Sequence, residues 1–556
     1  MNAKLLRSVL FLIVLMGAAY YGLRGRHILH GDGKEYILQT QAIVFDGTLS
    51  INTAARKDYW NRTNPYGIVL GDARAPASTL SEATQAGGGF GGLYPDRSGH
   101  YRYYHYWAYS AVVAPVYALF HGIDPSGSLE YFAFRFVNVG FLLLLFGLIA
   151  RQNPGGPTLA VLALLLFSPL IPYCDWQHPE IFCLSLVLAS FHLSSNGKAA
   201  SPLPLGLAAS MNPPILLFFP CHLFLVLRSG VPRRTRDLCR LAAGYLLGGL
   251  FAVSSGVYFL YHFGTPNVIS SIGMASLENA SLGRMLDIFI NPFVGAVYFF
   301  PMLFLLIPAC LSRKTLIPCL AVFASVLLAA WLASSTSNLN AGQVGTIRYA
   351  VWLIAPLWVC PLRDLPERFS RSPRGWLVYA GLVLSFLLVA FLGTNKLLRK
   401  DIRKFGGAWR AQPEVAAIVR LSGYLGDTEI AVENILGKEL DRPSFFRGVY
   451  LWDLGHGDCL WIFSERSLSR QRPVVFRLAT PGDIAFRASP GQPLDWTVQG
   501  DVVTLRAFQH PRLHKHPLLG NYLTLRSKGA ISAILKNQPI SIRSETMSIT
   551  DDIMRP

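Results

Sequence analysis

The sequence predicts a polytopic α-helical membrane protein with about 11 transmembrane helices and a β-rich soluble domain at its C-terminal end. Three observations carry this. The chain has 556 residues, 52% hydrophobic and only 15% charged, with a mean hydropathy of +0.36; a soluble chain of this length would be more polar. Apolar runs long enough to cross about 30 Å of hydrocarbon recur between residues 132 and 394. Beyond residue 395 the runs give way to short alternating segments such as Asp501-Val502-Val503-Thr504-Leu505-Arg506, which read as strands.

The elements follow in order. Residues 1–23 form the first transmembrane helix, with Lys4 and Arg7 ahead of an apolar run over 9–21. Gly17-Ala18-Ala19 would suit a signal-peptide cleavage site, but the spans that follow favour an uncleaved helix. Residues 24–131 form an extracytoplasmic loop with surface helices. The loop holds a glycine run at 87–92 and an aromatic cluster at 101–107. No strand and helix frame the glycines, so they read as a plain loop rather than a phosphate cradle. The transmembrane domain, 132–394, carries apolar runs near 132–150, 157–173, 180–195, 202–211, 214–228, 241–263, 292–311, 315–334, 348–362 and 375–393. Residues 395–556 form the C-terminal soluble domain.

Two topologies fit these runs. One makes 103–122 a span and 202–228 a single helix. The other lays 103–122 along the membrane surface and breaks 202–228 at Asn212-Pro213-Pro214, because proline removes helical hydrogen bonds. The excess of basic residues in cytoplasmic loops decides for the second. It puts Arg151, Lys198, the arginines from 228 to 240, Arg313, Lys314 and the arginines from 363 to 374 inside with Lys4 and Arg7. It also sends the C-terminal domain outside, against the basic cluster from Lys396 to Lys404. A net charge of +18 then reflects cytoplasmic loops facing anionic lipid rather than nucleic acid, for which no motif of specific spacing is present. The eight cysteines show neither a disulfide framework nor zinc-site spacing.

Asp32 and Glu35 lie just after the first apolar run. Acids held where a membrane helix meets water are costly there and tend to be functional. In the favoured topology both lie outside. So does the loop Cys174-Asp175-Trp176-Gln177-His178-Pro179-Glu180, so that two acidic loops flank one cavity. A general base must reach the hydroxyl it deprotonates, and a phosphate leaving group needs cationic partners. Asp32 and Glu35 are therefore candidate base or substrate contacts, His178 and Glu180 candidate substrate contacts, and Arg135 and Arg348 candidate phosphate contacts. Tyr104 and Trp107 belong to a candidate sugar-stacking wall. Each has a structural alternative. Asp32 would cap a helix, and Glu35 would face solvent beside Lys34. His178 and Glu180 would open a helix at Pro179. The arginines would snorkel to headgroups, and the aromatics would form an interfacial belt. The two acidic loops leave room for a divalent cation.

Taken in chain order, these features resemble the GT-C superfamily of integral-membrane glycosyltransferases, closest in style to protein O-mannosyltransferases and the lipid A aminoarabinose transferase. That family follows its first span with an acidic motif of the Asp-Glu-x-x-Tyr kind, then a helix ending in Gly. Asp32 and Tyr36 keep the Asp-to-Tyr spacing, and the segment 39–47 ends in Gly47; the second acid is replaced by Gly33, with Glu35 nearby. The segment 106–122 resembles the family's surface helix. Arg135, Glu180, Gly206-Leu207-Ala208 with Asn212-Pro213, and Arg348-Tyr349 with Pro356 resemble later landmarks. The likeness is spread thinly over 5–394 and does not cover the last 160 or so residues.

The resemblance implies that Asp32 deprotonates an acceptor hydroxyl, which attacks the anomeric carbon of a polyprenyl-phosphate sugar with inversion. One base then suffices, unlike the carboxylate pairs of soluble glycosidases. Tyr36 joins the substrate contacts. The partners would be the lipid-linked donor, a glycan, lipid or protein acceptor and the bilayer, with no nucleic acid. The location would be a bacterial plasma membrane with the site on its extracytoplasmic face. The rival readings are a transporter or flippase of lipid-linked saccharides, which predicts acids within spans and inverted repeats, and a non-catalytic membrane scaffold.

Overall fold

The computed structural model describes residues 32–64, 92–152, 170–195, 200–229, 235–291, 294–336 and 346–359, short pieces between them, and the strands given below. The expected first helix, the glycine run up to residue 91, most of the 157–173 run, the span at 375–393 and the basic cluster after it lie outside these residues. The chain divides into two compact units, one built from 1–280, 296–336 and 341–396, the other from 281–295, 337–340 and 397–556.

The first unit is helical. Helix α1 (Gly33–Gln41) runs into a π turn, Ala42–Asp46, which stops at Gly47 with φ 61°, a left-handed conformation that glycine adopts without strain. Helix α2 (Thr53–Thr63) starts at Asn52, whose side chain accepts from the Ala55 N–H. Strands β1 (Leu93–Pro95) and β2 (Tyr101–Tyr103) pair as an antiparallel hairpin. Helices α3 (Ala108–Ile123), α4 (Phe132–Gln152), α5 (Leu170–Cys174) and α6 (Glu180–Ser195) follow. Helix α7 (Pro202–Met211) stops at the expected break: Pro213–Phe218 is a 3-10 turn, and α8 (Phe219–Ser229) restarts beyond it. Then come α9 (Thr235–Phe263), α10 (Pro301–Cys310), α11 (Leu316–Ala333) and the short α12 (Arg348–Leu353).

Among the described residues, three helices are long and apolar enough to cross a membrane: Phe132–Arg151, Thr235–Phe263 and Leu316–Ala333. Helix α9 shows why. Leu241, Gly244, Gly248, Ala252, Ser255, Phe259 and Phe263 recur at helical spacing and are buried. The other side is also apolar and exposes Leu246, Leu250, Phe251 and Val257. A helix that is apolar on both its packed and its open face is suited to hydrocarbon rather than water.

The buried face of α9 meets α7 through small residues, which let two backbones approach closely. A Cβ at Gly206 would stand 2.0 Å from the Gly248 carbonyl oxygen, and one at Gly248 would stand 2.6 Å from the Pro202 carbonyl oxygen. The C-terminal end of α9 holds the β1–β2 hairpin. Asp96 accepts from the N–H groups of Ser98 and His100 and from Arg102 Nε, while the Arg97 N–H donates to the His262 carbonyl at 2.8 Å. Tyr94, Tyr104 and Tyr106 pack there with Phe259, Phe263 and Val268.

In the second unit the described strands are β3 (Val449–Gly455), β4 (Asp458–Ser464), β5 (Val474–Arg477), β6 (Phe486–Arg487), β7 (Leu494–Gln499), β8 (Val502–Ala507) and β9 (Tyr522–Lys528). They form two antiparallel sheets, ordered β3-β4-β9-β6 and β5-β8-β7. The alternating segment at 501–506 contributes β8.

The α7–α9 contact is checked by thermal unfolding in detergent. Gly206→Ala is expected to cost about 2 kcal/mol or more through overpacking and to lower the midpoint. Gly249→Ala, whose added Cβ meets nothing within 4 Å, is expected to leave it unchanged or raise it.

Candidate functional site

Asp32 stands at the N-cap position of α1, yet its carboxylate makes no capping hydrogen bond. The first turn is secured by its backbone instead, the Asp32 carbonyl accepting from the Glu35 N–H at 3.0 Å. That leaves the side chain free to turn inward. Arg348 Nη1 donates to Asp32 Oδ2 at 2.7 Å, and the Tyr104 hydroxyl donates to Oδ1 at 3.2 Å. His105 Nε2 lies 3.1 Å and His178 Nε2 3.5 Å from the same Oδ2. Four separate parts of the first unit therefore meet on one carboxylate: the start of α1, the segment after β2, the loop before α6 and the start of α12.

Each neighbour is fixed by its own element. Helix α1 is buried along most of its length, so Tyr36 is enclosed, its ring stacked on His105 at 5.4 Å and edge-on to His178 at 5.2 Å. Gln39 accepts from the Ser110 hydroxyl at 2.8 Å and donates to the His105 carbonyl at 3.4 Å. The loop before α6 is pinned from α4. Asn138 Nδ2 donates to the carbonyls of Cys174 and Trp176 at 3.3 and 3.1 Å, and its Oδ1 accepts from the Tyr109 hydroxyl at 2.9 Å. Trp176 stacks on His178 at 4.1 Å, and Glu180 Oε1 lies 3.2 Å from His178 Nδ1. Arg348 also donates through Nη2 to the Tyr349 hydroxyl at 3.0 Å, while its Nε is buried without a hydrogen bond.

Burial and charge set the protonation of this cluster. Burial pushes the Asp32 carboxyl up, but its positive neighbours His105 and Arg348 outweigh it and hold the group well below the usual carboxylate range. Burial lowers His105 against the pull of Asp32, so at neutral pH Arg348 is the lasting counter-charge. Burial, reinforced by repulsion from Asp32, drives Glu35 well above its ordinary value. Burial likewise pushes Asp175 up to about 7, against its partner Arg135.

The expected site residues divide accordingly. Asp32, Tyr36, Tyr104, His178, Glu180 and Arg348 come together. Glu35 joins them from the inner side of α1, 5% exposed, and does not face solvent. Arg135 stands apart on α4, its Nε 2.6 Å from Asp175 Oδ1, and steadies the loop rather than touching Asp32. Trp107 precedes α3 and packs beside Tyr106 in the cluster against α9, so of Tyr104 and Trp107 it is Tyr104 that reaches the acid. Two contributors were not singled out from the sequence. His105 sits inside the aromatic run, where a lone histidine is the only signal. Asn138 lies in an apolar helix, where a buried amide is the signal.

The chain matches no protein-family model, no curated protein and no solved structure.

Asn138→Ala is expected to take one donor from each of the Cys174 and Trp176 carbonyls, the latter keeping the His178 N–H at 2.8 Å, at a cost of about 1–3 kcal/mol. Thermal unfolding reads the cost, and faster proteolysis within 174–179 locates it.

Proposed function

We propose that this chain is a GT-C-type integral-membrane glycosyltransferase. It moves a sugar from a polyprenyl-phosphate donor to an acceptor hydroxyl at the extracytoplasmic face of a bacterial plasma membrane. The observation that carries the reading is the orientation of Asp32: an acid at a helix start that gives up its capping bond to meet Arg348 and Tyr104. A purely structural acid would cap the helix.

In the proposed reaction the acceptor hydroxyl donates a hydrogen bond to Asp32. Its oxygen bonds to the anomeric carbon as the bond from that carbon to the phosphate oxygen breaks, inverting configuration. The proton passes to Asp32, and the phosphate leaves with the electron pair toward Arg348. Arg348 suits both roles. It keeps Asp32 ionised before substrate arrives, and its Nε, which has no hydrogen bond, is available to a phosphate oxygen. A phosphate that draws the guanidinium away restores basicity to Asp32, so donor binding readies the base. Tyr36, His178 and Glu180 frame the acceptor side, with Glu35 beneath. About eleven spans and an outer C-terminal β-rich domain that meets the acceptor complete the proposal.

Transfer of labelled sugar from polyprenyl-phosphate donors in proteoliposomes tests it. Asp32→Asn is expected to lose transfer by about 10²–10⁴-fold while keeping donor binding; wild-type transfer by that variant rejects the assignment. The pH profile gives a second check, since kcat/KM reports the free protein's base. In the wild type Asp32 is ionised throughout the range above about pH 4, so no acid limb from it appears there. In Arg348→Gln one of the lowering charges is gone while burial and His105 remain, so the acid limb moves upward. A limb that does not move shows that Arg348 does not tune Asp32.

A further inference from the structure

We infer that Asp32, Glu35 and His105 form the binding site of one zinc ion. One ligand atom from each residue lies within 4.8 Å of the others. His105 Nε2 is 3.1 Å from Asp32 Oδ2 and 3.7 Å from Glu35 Oε2. Tetrahedral zinc with bonds of about 2.0–2.1 Å sets its ligand atoms about 3.3 Å apart, between those two distances. The Asp32 and Glu35 ligand atoms lie within 4.8 Å of each other, so closing on the ion draws the two carboxylates together.

Glu35 supplies the independent observation. It is 5% exposed, and its Oε2 has no hydrogen bond. A buried carboxyl oxygen without a donor is costly, and Arg348 already serves Asp32. The backbone crowds the same group: Gly92 sits at φ 86°, and a Cβ there would lie 2.2 Å from Glu35 Oε1. The fold thus confines an acid, gives one of its oxygens no donor and aims it at a histidine. A divalent cation satisfies that oxygen, favours the carboxylate and balances two acids at once.

The donor set selects the ion. One imidazole and two carboxylates suit zinc, whereas magnesium prefers oxygen ligands and keeps its waters. The His105 ring is held by its stack on Tyr36, and its backbone by Gln39 at its carbonyl. Three protein ligands leave one coordination position open. On the glycosyl-transfer reading, on which this role rests, an ion held by Asp32, Glu35 and His105 would supply Lewis acidity to an acceptor hydroxyl.

The test uses the full chain in detergent, stripped with a chelator and titrated with Zn²⁺ against a chromogenic zinc indicator, with bound metal counted by mass spectrometry. The wild type is expected to take up one zinc per chain. Glu35→Gln and His105→Gln are each expected to weaken it by more than about 100-fold, while Asp124→Asn, at a surface turn, binds as the wild type does. Zinc is expected to raise the unfolding midpoint of the wild type but not of His105→Gln, which decides the matter should Glu35→Gln fail to fold. Wild-type affinity in both variants, or no stoichiometric uptake by the wild type, overturns the site. Transfer assays with and without chelator separate the two ideas. A chain that transfers sugar but takes up no zinc overturns the metal site alone. A chain that binds zinc through these residues and never transfers sugar overturns the glycosyltransferase reading alone.

Discussion

The contact between Asp32 Oδ2 and Arg348 Nη1, 2.7 Å long and joining positions 316 residues apart, constrains everything around it. Both side chains are largely buried, 15% and 10% exposed, so each has lost most of its water. Removing one partner of such a pair typically costs about 3–5 kcal/mol, because the other is left uncompensated. The pair as a whole adds little to stability, since desolvation offsets attraction. Its effect is to require a particular arrangement: the fold is acceptable only when the start of α1 and the start of α12 stand side by side.

Once that is required, the remaining contacts follow. Arg348 neutralises one carboxylate, and the cluster holds more than one. Glu35 responds by holding its proton, driven up by burial and by Asp32. Glu180 lies on the far nitrogen of His178, which places that ring between two acids. Asp175 is drawn aside by Arg135. Two arginines thus sort the nearby acids, Asp32 pairing with Arg348 and Asp175 with Arg135, while Glu35 is left to hold its proton, and groups pushed apart in this way are what acid–base chemistry uses.

The legible part of this protein was the part encoded locally. The long apolar helices that begin at 132, 235 and 316 follow from hydropathy, which needs no tertiary contact, and the break after Met211 follows from two prolines. Asp32, His178, Glu180 and Arg348 were legible as polar residues stranded beside apolar runs. Which of them would touch was not, because pairing is a property of the fold. Arg135 and Arg348 look alike in the sequence, each opening an apolar helix. One meets Asp175, 40 positions on, and the other meets Asp32 across most of the first unit. His105 was hidden for a related reason: a run of aromatics reads as an interfacial belt, and nothing local tells which ring turns inward.

The separation of Asp32 from Arg348 also has a meaning in time. At about 5–20 residues per second, a ribosome needs roughly 15–60 s to travel from one codon to the other. Through that interval the nascent chain carries an acid whose partner has not been made. Asp32 must wait hydrated or protonated while the intervening helices take their places. The ion pair is therefore a late closure, and its formation marks the moment at which α1 and α12 have both arrived.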